Sequence, residues 1–157
     1  MRKLVFLVLF TTLTSVHAAN PDYRNLSKIT PCFDSSVVQV SSNVKHLVEE
    51  KEVYEVARSK FLAYRTRFLD DCQPNGSEYP WFIHIHVQGK TAKNGFLAYY
   101  IEINIYSREG LPGWQSIYNI GTFGIEPEPD RMFLMLVKTK VSEMADKLAA
   151  DYEKANP

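Results

Sequence analysis

Hydrophobic positions along this chain recur at two spacings, and each predicts a different element. Trp81, Ile83, Ile85 and Val87 alternate with Phe82, His84, His86 and Gln88. Leu97, Tyr99, Ile101, Ile103 and Ile105 alternate with Ala98, Tyr100, Glu102, Asn104 and Tyr106. A period of two is that of a strand with one apolar face. A third strand is predicted over about 114–123, after the breaker Gly110-Leu111-Pro112-Gly113, with mixed faces and Gly121 marking a bulge. From about Asp130, residues Phe133, Val137, Val141, Met144, Leu148 and Tyr152 form the stripe of an amphipathic helix. Pro127 and Pro129 suit its entry, and Glu126 and Glu128 stand near the positive end of its dipole.

Residues 34–71 are harder to read. Val37, Val40, Val44, Leu47, Tyr54, Ala57, Phe61, Tyr64 and Phe68 keep a helical spacing, but a single helix of that length would span roughly 54 Å. Cys32 and Cys72 would then stand at its two ends, whereas a disulfide needs Cα atoms within about 7 Å. If the two cysteines pair, the chain must double back. The β-branched run Val37-Val38-Gln39-Val40 favours a strand, with a turn or short helix over 41–49 and the main helix over 51–69. A helical hairpin is the alternative.

The hairpin between the first two clear strands fixes what its polar side chains face. A two-residue Asn94-Gly95 loop would oppose Val87 to Glu102 and mix the faces. A three-residue loop, Lys93-Asn94-Gly95, places glycine in the left-handed position and sets 86 against 102, 84 against 104 and 88 against 100. All apolar residues then share one side, so the pattern selects that register.

The predicted class is α+β: a two-layer sandwich, an antiparallel sheet of three to four strands with helices packed on one face, in the order β/α-α-β-β-β-α. That order resembles small periplasmic proteins that help build the outer membrane, such as the lipopolysaccharide-assembly lipoprotein group. The likeness is one of element order, with no shared motif.

The N-terminus changes the picture of where the chain works. Met1-Arg2-Lys3 is basic, Leu4 to Leu13 is mostly apolar, and Val16-His17-Ala18 puts small residues at the positions a signal peptidase reads. The expectation is a signal peptide over 1–18, cleaved after Ala18, and a periplasmic or secreted single domain over 19–157. Residues 19–31 read as a loosely attached arm, and 154–157 as a fraying tail. In an oxidising compartment the pair Cys32 and Cys72 reads as one disulfide rather than a thiol nucleophile or metal ligands. Neither lies in a CxxC or beside a histidine. Asn25-Leu26-Ser27 and Asn75-Gly76-Ser77 are glycosylation acceptors in a eukaryotic host and silent in most bacteria.

Composition then narrows the function. The chain has 157 residues, with 18 basic and 18 acidic side chains, 45% hydrophobic and 13% aromatic residues. That is one core's worth of polymer, and its charge balance points away from nucleic acid. No GxSxG, HExxH, GxGxxG or phosphate loop is present, and no cofactor is expected. The face carrying Phe82, His84, His86, Gln88, Tyr100, Glu102, Asn104 and Tyr106 mixes aromatic and hydrogen-bonding groups, which suits a protein, peptide or glycan partner. Two further readings are a metal-binding protein centred on His84, His86 and Glu102, and an inhibitor of an extracytoplasmic enzyme presenting 108–113.

Overall fold

The computed structural model describes residues 22–70, 72, 81–107 and 114–157. In chain order these form β1 (Val38–Val40), α1 (Glu50–Ala63), β2 (Trp81–Thr91), β3 (Leu97–Ser107), β4 (Gln115–Glu126) and α2 (Pro129–Ala155). The strands make one sheet in the order β1-β2-β3-β4. β1 runs parallel to β2, whereas β2–β3 and β3–β4 are antiparallel. The class is α+β as expected, but the sheet is mixed rather than purely antiparallel. The reason lies in the connection: β1 reaches β2 through α1, and a crossover returns the chain in the same direction.

The β2–β3 hairpin has the register that the apolar pattern selects, with His86 opposite Glu102, His84 opposite Asn104 and Gln88 opposite Tyr100. Its loop closes through Ala92 N–H donating to the Phe96 carbonyl at 2.7 Å, and Gly95 sits at φ 84°, which glycine alone adopts without strain. The bulge of the sheet lies elsewhere than expected. It falls between Ile105 and Tyr106, whose partners in β4 are Tyr118 and Ser116, so Ile117 is the extra residue. Gly121 serves a different need, since a Cβ there would lie 3.0 Å from the Tyr100 hydroxyl and 3.2 Å from the Ile101 carbonyl.

One sheet face, carrying Ile83, Ile85, Val87, Ile101, Ile103 and Ile105, is buried under the helices. α2 contributes Phe133, Val137, Val141, Met144, Leu148 and Tyr152, the whole of the expected stripe. α1 contributes Val53, Ala57 and Phe61. The two helices are tied side by side by Lys138–Glu52 at 2.8 Å and Lys60–Asp146 at 3.0 Å. α1 stops six residues before the expected end at Leu69. Arg65 turns left-handed at φ 54°, its N–H donating to Leu62 and that of Thr66 to Phe61, which is the Schellman closure with arginine where glycine is usual. Phe68 then folds back onto Phe33, ring centroids 6.1 Å apart, and Phe33 also meets Phe61 at 5.1 Å.

The disulfide between Cys32 and Cys72 is formed, with Cα atoms 5.5 Å apart. Cys32 bridges to both Leu69 and Phe82, so the bond sits beside the sheet where the crossover begins and ends. The described part of the expected arm, 22–31, is not loose. Leu26 and Ile29 are buried, Asn25 Nδ2 donates to the Ile117 carbonyl at 3.0 Å, and Tyr152 Oη donates to the Ile29 carbonyl at 2.7 Å. The tail is held by the same segment: α2 continues to Ala155, and Asn156 bonds the Leu26 carbonyl and the Lys28 N–H. Two apolar side chains anchoring a short polar stretch are enough to overcome its mobility. The predicted signal peptide, Asn75-Gly76-Ser77 and 108–113 lie outside the described residues.

Candidate functional site

Opposite the helices, the second sheet face presents the even-numbered side chains of β2 and β3, because successive residues of a strand alternate sides. All eight predicted residues stand on it, in cross-strand pairs Phe82–Tyr106, His84–Asn104, His86–Glu102 and Gln88–Tyr100. The face is not uniformly open. Gln88 and Tyr100 are exposed, His84, His86, Glu102 and Tyr106 are half-buried, and Phe82 and Asn104 are buried at 7% and 2% exposure. The sequence places Phe82 and Asn104 on this face, but both are covered there. Phe82 is covered by the Trp114 ring, edge to face at 4.8 Å. Asn104 is enclosed by β4, whose Ser116 and Asn119 both donate to its Oδ1.

A polar network occupies the centre of the face. Glu102 Oε2 accepts from the Tyr100 hydroxyl at 2.9 Å and from Asn119 Nδ2 at 3.0 Å, while Oε1 lies 3.2 Å from His86 Nδ1. Burial by itself would raise the Glu102 pKa, but donors on Asn104, Tyr100 and Asn119, with the His86 imidazole nearby, hold it below the ordinary carboxylate value. The same burial and the bond to Glu102 push the Tyr100 hydroxyl up to about 12.

Beside this network lies a groove of about 430 Å³, lined by Ser36, Val37, Gln39, Phe82, His84, His86, Tyr106 and Trp114. The imidazoles stand edge to face at 4.1 Å, and Tyr106 packs on His84 at 5.9 Å. His84 is lowered to about 4, by burial first and then by the neighbouring His86, so it is neutral near pH 7. His84 Nδ1 and His86 Nε2 are buried with no hydrogen-bond partner among the described residues. A mainly apolar groove whose ring nitrogens lack partners among the described residues can take an apolar or ring-shaped group and satisfy one or two polar atoms on it.

Sequence reasoning placed His84, His86, Phe82 and Tyr106 here and missed Ser36, Val37, Gln39 and Trp114. Only the parallel pairing of β1 brings Gln39 beside His86. The metal reading loses its geometry. Among the described residues no three His, Cys, Asp or Glu side chains could hold an ion together, and Glu102 already spends both oxygens on His86, Tyr100 and Asn119. Among those residues, too, no helix is long and apolar enough to cross a membrane.

No protein-family model matches the chain, and no curated protein does. Solved structures do match. A variant PelC dodecamer from Paraburkholderia phytofirmans shares 10% identity over 76% of this chain and 93% of that one, at a TM-score of 0.42. A second PelC dodecamer from the same organism shares 7% identity over 78% and 84%, at 0.37. Likeness at that level says nothing of what this chain binds.

Proposed function

We propose that this is an exported, non-catalytic binding domain whose open sheet face recognises a protein or peptide partner, with an apolar or aromatic side chain of the partner entering the groove at Trp114, Tyr106 and His84. The observation that carries the reading is the combination of aromatic walls with two buried ring nitrogens that have no hydrogen-bond partner among the described residues. Leaving such atoms unpaired costs free energy, which a ligand's polar atom would recover. Export is supported by the disulfide, a bond that persists in oxidising compartments, and by the basic-then-apolar start of the sequence.

Two experiments test this. Titration of isotopically labelled protein with N-acetylphenylalanine amide should shift the Trp114 indole and His84 imidazole resonances, and Trp114→Ala, which loses some stability by uncovering Phe82, should abolish the His84 response at a temperature where the variant is fully folded. A response to N-acetylglucosamine alone would replace the peptide reading with a glycan one, and silence toward both probes would overturn the groove as a site. For export, intact mass from a secreting host should correspond to a chain beginning at Ala19; a product still beginning at Met1 would refute cleavage.

A further inference from the structure

We infer that the groove is built for a phenol: the side chain it takes from a protein partner is tyrosine in preference to phenylalanine, because the hydroxyl answers two buried imidazole nitrogens. This deepens the proposed function and rests on it.

Charge narrows the occupant first. Among the described residues no Lys, Arg, Asp or Glu lines the groove. A charged side chain entering a space walled by Val37, Phe82 and Tyr106 would lose its water and meet no counter-ion in the lining. The occupant is therefore uncharged, and most of its surface is apolar.

The imidazoles then decide which polar group it carries. Glu102 Oε1 stands 3.2 Å from His86 Nδ1. A carboxylate at that distance favours the ring proton on Nδ1, because it would repel a nitrogen lone pair turned toward it. In the neutral ring Nε2 is then a lone pair, buried and without a hydrogen-bond partner among the described residues, and it needs a donor. His84 is neutral near pH 7, and its Nδ1, also buried and without a partner among those residues, donates or accepts according to the tautomer. A phenyl ring or an aliphatic chain gives neither atom a partner. An indole N–H only donates, and a carbonyl only accepts. A hydroxyl does both, and the two rings are 4.1 Å apart, close enough for one hydroxyl to serve them. Serine and threonine bring the hydroxyl without a ring to fill about 430 Å³. Among uncharged side chains tyrosine alone carries a hydroxyl at the tip of an aromatic ring. Neither nitrogen touches water in the free protein, so the pairing follows a small χ2 turn of the imidazole, a torsion with a broad well in histidine.

Calorimetric titration at about pH 8, above the ordinary imidazole value, tests this with N-acetyltyrosine amide, N-acetylphenylalanine amide and the O-methyl ether of the tyrosine probe. The three share a ring and a backbone, and only the first has a donor at the ring tip. The tyrosine amide should bind roughly five- to tenfold tighter than the phenylalanine amide, the margin of one net hydrogen bond, and the ether no tighter than phenylalanine. Nitrogen NMR should read an unprotonated His86 Nε2 in the free protein and a resonance moved toward the protonated range with the tyrosine amide bound. His86→Leu should bring the two amides within about twofold of each other, and if that variant does not fold the nitrogen resonance decides alone. Equal binding of the two amides, or an ether bound as tightly as tyrosine, would overturn the inference and leave the groove standing as a site. A protonated Nε2 in the free protein would overturn it too. Silence toward all three probes would remove the groove, and this inference with it.

Discussion

The Tyr118 hydroxyl donates to Asp151 Oδ2 at 3.0 Å in the space between β4 and α2, and both residues are buried. Lys147 and Lys154 meet the same carboxylate at 2.9 and 3.5 Å from the solvent side. Burial acts to raise the Asp151 pKa, but the Lys147 and Tyr118 bonds and the two lysine charges leave it below 3.8. A carboxyl depressed in the folded state adds stability that is complete above its unfolded value and disappears as pH falls through the folded one. The protein should therefore lose stability below about pH 4, and Asp151→Asn should flatten that acid limb. Urea midpoints at pH 7 and pH 3 check it; an unchanged acid limb in the variant would show that Asp151 plays no part in it.

His84 follows the same linkage at a higher pH. Its folded value is about 4 against an ordinary 6.5, so the unfolded chain binds the proton first as pH falls between those values. Stability should decline from pH 6.5 toward 4, and His84→Gln should remove that part of the decline. An NMR titration of the imidazole reads the value directly, and a midpoint near 6.5 would mean that the groove is open to water.

Asn104 should matter more than its charged neighbours. It accepts from Ser116 and Asn119 while buried, so Asn104→Ala removes two hydrogen bonds, although Ser116 keeps the Tyr118 carbonyl and Asn119 keeps Glu102 as acceptors, and should cost about 1–3 kcal/mol. His86→Gln should cost less than about 1 kcal/mol, because a half-exposed polar pair contributes little. Ile103→Ala, at a fully buried position of the sheet's helix side, should cost about 2–5 kcal/mol. Chemical denaturation of the three variants gives the order; equal losses from His86→Gln and Ile103→Ala would show that both sheet faces are buried alike.

Gly124 is fixed by a ring rather than by a turn. A Cβ there would come within 2.7 Å of Tyr99 Cζ, so Gly124→Ala must displace the Tyr99 ring from its place beside Phe133. A loss of about 1–3 kcal/mol is expected, recovered in part by a second change, Tyr99→Leu. No loss in Gly124→Ala would mean that the ring has room to move.

What could be read in the sequence was local. The hairpin register followed from alternation and from Asn94-Gly95, and α2 from one stripe, because each signal lies within a few residues of the structure it specifies. The parallel pairing of Val38 with Ile85 joins positions separated by a helix, and no periodicity records it. Arg65 closes α1 without the glycine that would have announced the end. Asn104 sits in a clean polar alternation yet is buried, because β4 sets Ser116 and Asn119 against it. The groove was half legible for the same reason: its floor belongs to one hairpin, but its walls come from Gln39 and Trp114.

The Cys32–Cys72 bond has a consequence for the order of events during maturation. Asp34 links it to the groove, since its carboxylate accepts from the Cys72 N–H at 2.7 Å and from the Ser36 N–H, also at 2.7 Å, and Ser36 begins the wall that continues to Gln39. The β2-β3-β4 meander needs only short loops to form, whereas that wall waits on closure of the crossover and on thiol oxidation, a step of seconds to hours. The sheet would thus form well before the groove, and under the proposed function recognition would follow oxidation of the two cysteines rather than formation of the strands.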